Sequence, residues 1–186
     1  MIKLAHQVVE RGVTLFDTAE IYGPLPVTAI QSEYHMMWRE PEKEILPVCK
    51  EPGIGFVPYS PINRGFLSGS INEYTQFNSG NDNRNILPRF TPEAIRSNLR
   101  IVEELNKFGH TRGRTLAQIA LAWLLSKVSW IVPIPGMTKL SHLEENLRTA
   151  EFSCAQQEWN ELEATISNIP IMGDRYPASE QKQVEK

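Results

Sequence analysis

Cysteine, basic clusters and long apolar runs are all scarce in this chain, and each scarcity closes off a class of protein. Cys49 and Cys154 are the only 2 cysteines among 186 residues. They are too few and too far apart for a disulfide framework or a metal knuckle, so no metal site is expected and a reducing cytoplasm suits them. The net charge of -3 and the pI near 5.9 argue against nucleic-acid and anionic-membrane partners, which select clustered Lys and Arg. The neighbourhood of Arg112 and Arg114 is the most basic patch and reads as a solvated helix entry. No apolar run reaches the length of a membrane span, and the N-terminus lacks the marks of a signal peptide. Neither an internal repeat nor a G-x-G-x-x-G nucleotide fingerprint is present. What is there is a 41% hydrophobic chain with both charge signs mixed, the composition of one globular domain, expected in the cytoplasm.

Periodicity then divides the chain. Ile2, Ala5, Val8 and Val9 are spaced as a helix over 2–11, ended by Gly12, and Val13-Thr14-Leu15-Phe16 reads as a buried strand. A second strand-like stretch spans 27–34. A helical piece follows over 41–50, with Pro47 expected to weaken it, and a third strand runs over 53–60 between glycines and prolines. Residues 63–90 hold several Gly, Asn and Ser and few apolar anchors, and are expected as a long loop, a lid or a disordered stretch. Thr91-Pro92-Glu93 starts a helix that buries Ile95, Leu99, Val102, Leu105 and Phe108 and is expected to end at Gly109. A further helix runs from Thr115 to Ser126, and residues 130–134 read as a strand. Capping boxes are expected at Ser141 with Glu144 and at Ser153 with Gln156, with Leu143, Leu147, Trp159, Leu162 and Ile166 facing inward. The domain is placed at 1–170 and a polar C-terminal tail at 171–186, mobile from Ser179.

Helix, then strand, then polar residues is the grammar of α/β folds, in which chemistry gathers beyond the C-terminal ends of strands. Asp17 and Tyr22, in TLFDTAEIYGP, stand at such an end as an acid and a phenol. A loop cap and a half-buried packing residue are their plainer readings. His6, His35, His110 and His142 read as surface or capping histidines, Cys49 as an inert buried thiol, and Tyr59 and Trp130 as core aromatics unless a site claims them.

The stretches FDTAEIYG at 16–23, QSEYHMMWR at 31–39, GIGFVPYSPINRGFLSG at 53–69 and IVPIPGMTKLSHLEENL at 131–147, in that order, resemble the aldo-keto reductase family. The resemblance implies a (β/α) barrel that binds NADPH across its C-terminal face and reduces an aldehyde or ketone, a small-molecule carbonyl substrate. It implies Tyr22 as catalytic proton donor and Asp17 as its supporting acid. It also implies Gln31 on the nicotinamide carboxamide, Tyr59 stacked on that ring, and Ser60, Pro61, Asn63, Arg64 and Gly65 around the pyrophosphate. Gly136, Met137, Thr138, Lys139, His142, Glu145 and Asn146 fall where the family grips adenosine and its 2'-phosphate, with Lys139 favouring NADPH over NADH. Lys139 and Arg64 read equally well as solvated surface charges.

The pattern also departs from the family. The resemblance calls for a Lys and a His on the strands after Tyr22, and no residues between Tyr22 and Val27 hold them. The expected fold is therefore α/β, a partial (β/α) barrel keeping only strands 2, 6, 7 and 8. Gly23-Pro24-Leu25-Pro26 reaches roughly 17 Å when extended, about one strand's length and too short for an ordinary parallel crossover. The N-terminal segment is thus expected to dock irregularly or antiparallel. A four-stranded remnant leaves unpaired sheet edges, which are expected to drive self-association. Two functions remain open: an impaired NADPH-dependent carbonyl reductase, or a non-catalytic cofactor-binding or oligomer-forming fragment of one.

Overall fold

A computed structural model of the chain describes residues 27–184. The expected helix over 2–11, the strand over 13–16, its docking mode, and the motif carrying Asp17 and Tyr22 lie outside those residues.

Strand β1 (Ala29–Glu33) pairs in parallel with β2 (Gly55–Tyr59), placing Ala29 opposite Gly55 and Glu33 opposite Tyr59. Between them lies α1 (Ile45–Lys50), the crossover that a parallel pair requires. Pro47 does not break it. The proline falls in the first turn, where a missing N–H forfeits no intrahelical bond.

Residues 130–134 were expected as a strand, and the structure reduces them to a single parallel bridge, Phe56 to Ile131. The Phe56 N–H donates to the Trp130 carbonyl at 3.2 Å, and the Val132 and Ile134 amides donate to the Phe56 and Pro58 carbonyls at 2.9 and 3.2 Å. The next bond of that ladder would come from residue 58, and proline has no N–H to give.

The remaining helices follow the β1–α1–β2 unit in the chain. Helix α2 (Pro92–His110) starts as expected, the Ala94 N–H donating to Thr91 Oγ1 at 3.3 Å. Gly109 does not end it. That glycine lies inside the helix, where a Cβ would come within 2.8 Å of the Arg114 carbonyl and 3.1 Å of Ile119 Cγ1. Its smallness lets the chain fold back against the next helix, and the left-handed turn is made by Gly113 at φ 61°. Helix α3 (Leu116–Leu125) carries a capping box that the sequence reading missed, Thr115 and Gln118 each accepting the other's backbone N–H at 3.2 Å. From α3, Trp123 packs on Tyr34 at 5.2 Å between ring centroids, and Tyr34 meets Phe56 of β2 edge-on at 5.9 Å.

Neither expected capping box in the last third forms. Helix α4 (Leu140–Leu147) begins one residue ahead of Ser141, with Lys139 at its cap and no side-chain capping bond. Helix α5 (Gln156–Ser167) begins after Ala155, whose N–H donates to the Glu158 carboxylate at 3.0 Å. Trp159, Leu162 and Ile166 are buried as expected, whereas Leu143 and Leu147 are 40% and 65% exposed. Among the described residues nothing covers that flank of α4, because the sheet stops at residues 130–134.

The 63–90 segment is packed, contrary to expectation. Phe66, Leu67, Ile71, Leu87 and Phe90 are buried, and Phe90 sits edge-on to Phe66 and Phe77 at 6.3 and 5.6 Å. Its anchors are scattered over short 3-10 turns, which hold Phe66, Leu67 and Phe90, and the irregular chain between them, so no period announces them. Residues 171–176, assigned from sequence to a polar tail, are tied to the body. Asn98 exchanges bonds of 2.9 and 2.8 Å with the Met172 backbone, and Arg89 Nε donates to the Gly173 carbonyl at 3.1 Å. Helix α6 (Ala178–Val184) follows where a mobile stretch was expected. Among the described residues no helix is long and apolar enough to cross a membrane.

Candidate functional site

Beyond the C-terminal end of β2 the backbone is held in an unfavourable region. Ser60, Asn63 and Arg64 have φ of 51°, 48° and 52°, and Gly65 follows at 93°. Each non-glycine residue there costs about 1–2 kcal/mol, and such strain persists only where neighbours enforce it, most often at ligand sites. Here the Asn63 N–H donates to the Ser60 carbonyl at 2.7 Å and the Gly65 N–H to the Ile62 carbonyl at 3.1 Å.

This turn forms one wall of a cleft of about 880 Å³. Ser60, Pro61, Arg64 and Gly65 line that wall, and Gly136, Met137, Thr138, Lys139, His142, Glu145 and Asn146 line the other. The parallel seam between β2 and residues 130–134 brings the walls together, since both emerge from the same end of it. The donor set suits an anion: two guanidiniums, an ammonium, an imidazole and several hydroxyls. Lys139 stands at the N-cap of α4, which has no acid in its first turn. A cation at the positive end of a helix is an electrostatic misfit that a bound anion would relieve.

Five lining residues escaped the sequence reading: Ile62, Ser68, Ser70, Arg84 and Ala117. Arg84 is the informative one. Its guanidinium is paired with Asp82 at 2.6 Å, lies over the Phe77 ring at 4.7 Å, and donates from Nη1 to the Arg64 carbonyl at 3.0 Å. Its spacing to Asp82 was visible, but inside a segment read as loop.

Gln31, Tyr59 and Asn63 do not join the cleft lining. Asn63 is buried, donates to Met37 Sδ at 3.2 Å, and leaves its Oδ1 without a partner. Gln31 is exposed on the sheet, opposite Val57. The Tyr59 hydroxyl meets Arg175 Nη2 at 2.8 Å and the Tyr176 hydroxyl at 3.0 Å. Burial and the Tyr176 hydrogen bond push that phenol up to about 12 against the pull of the Arg175 guanidinium. Asp17 and Tyr22 lie outside the described residues, so the proton-donating half of the expected site is not in view.

Sequence reasoning also passed over Glu33. Its buried carboxylate accepts from Arg64 Nη1 at 2.6 Å and His35 Nε2 at 3.2 Å on one oxygen, and from Arg175 Nε at 2.6 Å on the other. Burial alone would raise its pKa, but the His35 hydrogen bond and the two guanidiniums hold it far below the usual carboxylate range. His35, expected as a surface or capping histidine, is fully buried, and burial lowers its pKa despite Glu33. The Met37 N–H donates to His35 Nδ1 at 3.2 Å, so the neutral ring carries its proton on Nε2 and gives it to Glu33. Glu33's position two residues after Gln31 on the same strand face was the available signal.

The family model described as Aldo/keto reductase family matches residues 23–167. The chain belongs to that family. Within the aldo/keto reductases, the Glycine max protein described as Probable aldo-keto reductase 1 is 36% identical over 152 residues, covering 81% of this chain and 43% of that protein. Of solved structures, a thermostable aldo-keto reductase crystallised with the inhibitor epalrestat is 26% identical, with a TM-score of 0.53 over 75% of this chain and 40% of the other. A glycerol dehydrogenase from Gluconobacter oxydans, at 23% identity and a TM-score of 0.69 over 78% of this chain and 44% of the other, supports the fold alone. This aldo/keto reductase chain thus spans less than half the length of these relatives, and among the described residues its sheet is two parallel strands, part of a (β/α) barrel. The matched stretch opens at residue 23, so FDTAEIYG at 16–23 falls almost wholly ahead of it.

Proposed function

We propose that the cleft between the β2 turn and α4 holds the adenosine, 2'-phosphate and pyrophosphate of NADPH, and that the chain has little or no carbonyl reductase activity of its own. The convergence of residues 60–65 and 136–146 on one cleft carries this reading. Arg64 and the strained turn would take the pyrophosphate, and Lys139 with His142 the 2'-phosphate. A Cβ at Gly136 would meet nothing within 4 Å, and one at Gly65 would meet Arg84 Nη1 at 3.6 Å and Ile71 Cδ1 at 3.8 Å. When bound, NADPH would supply a hydride to an aldehyde or ketone.

The impairment follows from what surrounds Tyr22 in the sequence. The family's Lys and His partners have no counterpart between Tyr22 and Val27. An unassisted tyrosine keeps a pKa near 10, too high to donate efficiently at neutral pH. Free Cys49 and Cys154 suit a cytoplasmic setting.

Titrating NADPH fluorescence with the purified chain, followed by an aldehyde-dependent absorbance assay, tests both parts. Saturable binding weakened by salt, without turnover, is the expected result. Absence of binding removes the cleft reading, and turnover at the rate of a full-length reductase removes the impairment.

A further inference from the structure

Three donors converge on Glu33, and they come from three separate parts of the chain. Arg64 belongs to the strained turn that lines it, His35 lies just past β1, and Arg175 belongs to the docked segment after α5. The Glu33 side chain is wholly buried, while that of Arg64 is 17% exposed, so Arg64 links the interior to the cleft surface. Only Nη1 of Arg64 is engaged by Glu33, and a guanidinium has five N–H donors. Most of the fork is left for a ligand. An arginine free to sample its rotamers loses that freedom when an anion fixes it, whereas one already anchored loses little.

We propose that Glu33 is a positioning residue for the cleft: its carboxylate holds Arg64 in the left-handed turn so that the guanidinium is pre-set for a phosphate or pyrophosphate. The inference rests on the anion-binding reading of the cleft. Mere charge neutralisation predicts the opposite sign, because removing Glu33 would then free Arg64's charge and tighten anion binding. The geometry favours anchoring: Arg64 is held at both ends, its guanidinium by Glu33 and its carbonyl by Arg84.

The test uses the full chain with inorganic pyrophosphate and NADPH as probes, together with phenylglyoxal labelling of arginines read by peptide mass spectrometry. Glu33→Gln is expected to weaken both ligands on the order of tenfold. That loss should vanish in an Arg64→Gln background, since a residue acting through Arg64 has nothing left to position. Arg64 should also label faster in Glu33→Gln while buried Arg89 does not. Unchanged or tighter binding, additive losses in the double variant, or unchanged Arg64 labelling each overturn the proposal. Should Glu33→Gln not fold, Glu33→Asp, which keeps the charge but draws the carboxylate back, must weaken pyrophosphate in the same direction, and wild-type affinity there overturns the proposal. A wild-type chain that binds neither probe overturns the cleft reading instead, and the Arg64 labelling rate then decides the anchoring by itself.

Discussion

Arg175 Nε donates to Glu33 Oε2 at 2.6 Å across a sequence separation of 142 residues, closing the C-terminal segment onto the end of β1. Arg175→Ala would leave that carboxylate with two donors instead of three, at no exposure. Hydrogen bonds to a buried charge are worth about 1.5–3 kcal/mol, so the variant is expected to lose roughly 2 kcal/mol of stability. Urea denaturation should show a lower midpoint at an unchanged slope.

Acid should weaken the fold in two stages. His35 has a pKa lowered by burial, so the unfolded ring takes a proton first as the pH falls through 6.5, and the folded state loses ground from there. Glu33 has a depressed pKa, so its contribution is complete above the ordinary 4.5 and drains away below it. Thermal melts from about pH 8 to 2.5 should fall in both windows, and His35→Gln should flatten the upper one while lowering stability throughout.

Gly109→Ala is expected to destabilise the chain although it lies in a helix. Helix propensity alone would add about 1 kcal/mol. The new Cβ, however, would stand 2.8 Å from the Arg114 carbonyl, and forcing a methyl into a packed site costs about 1–3 kcal/mol. A drop in melting temperature is the expected reading; a rise would mean that the return toward α3 has slack.

Gly173→Ala should loosen the C-terminal segment selectively. Gly173 sits at φ 90°, and a Cβ there would be 2.6 Å from the Pro88 carbonyl. Left-handed strain and that clash together cost about 2–4 kcal/mol. Limited proteolysis is expected to cut after α5 in the variant before it cuts the body, which wild-type chain should resist.

We propose that the open flank drives self-association. Val132, Ile134, Leu143 and Leu147 are all exposed, and among the described residues the outer sides of β1 and of residues 130–134 pair with no further strand. Light scattering should show species larger than one chain, and Leu147→Glu with Val132→Lys should shift them towards monomer. A compact monomer that binds no apolar dye would end the idea.

The legible and illegible parts of this chain separate by how local their causes are. The β1–α1–β2 unit, the start of α2 at Thr91 and the inner face of α5 all follow from short-range pattern, and the structure has them. The cleft's two walls could be named because the family resemblance marks both strand ends, though the sequence reading did not include Arg84. The failures are long-range. Leu143 and Leu147 carry a sound helical period, but whether that face is covered depends on elements elsewhere. Ser141 and Ser153 looked like caps because a serine stood three residues before Glu or Gln, yet the N-cap positions fall to Lys139 and Ala155. The Glu33 cluster needs residues 33, 35, 64 and 175 at one point, and no window of sequence contains them.

Pro58 leaves the seam at the base of the cleft unevenly bonded. Below it the seam between β2 and residues 130–134 is bonded in both directions, Phe56 both donating and accepting. Above it the only seam bond among the described residues is the Ile134 amide on the Pro58 carbonyl, and both cleft walls grow from that upper end. The seam is therefore most sparsely bonded where the walls diverge, while the β1–β2 pairing beside it runs on to Glu33 and Tyr59.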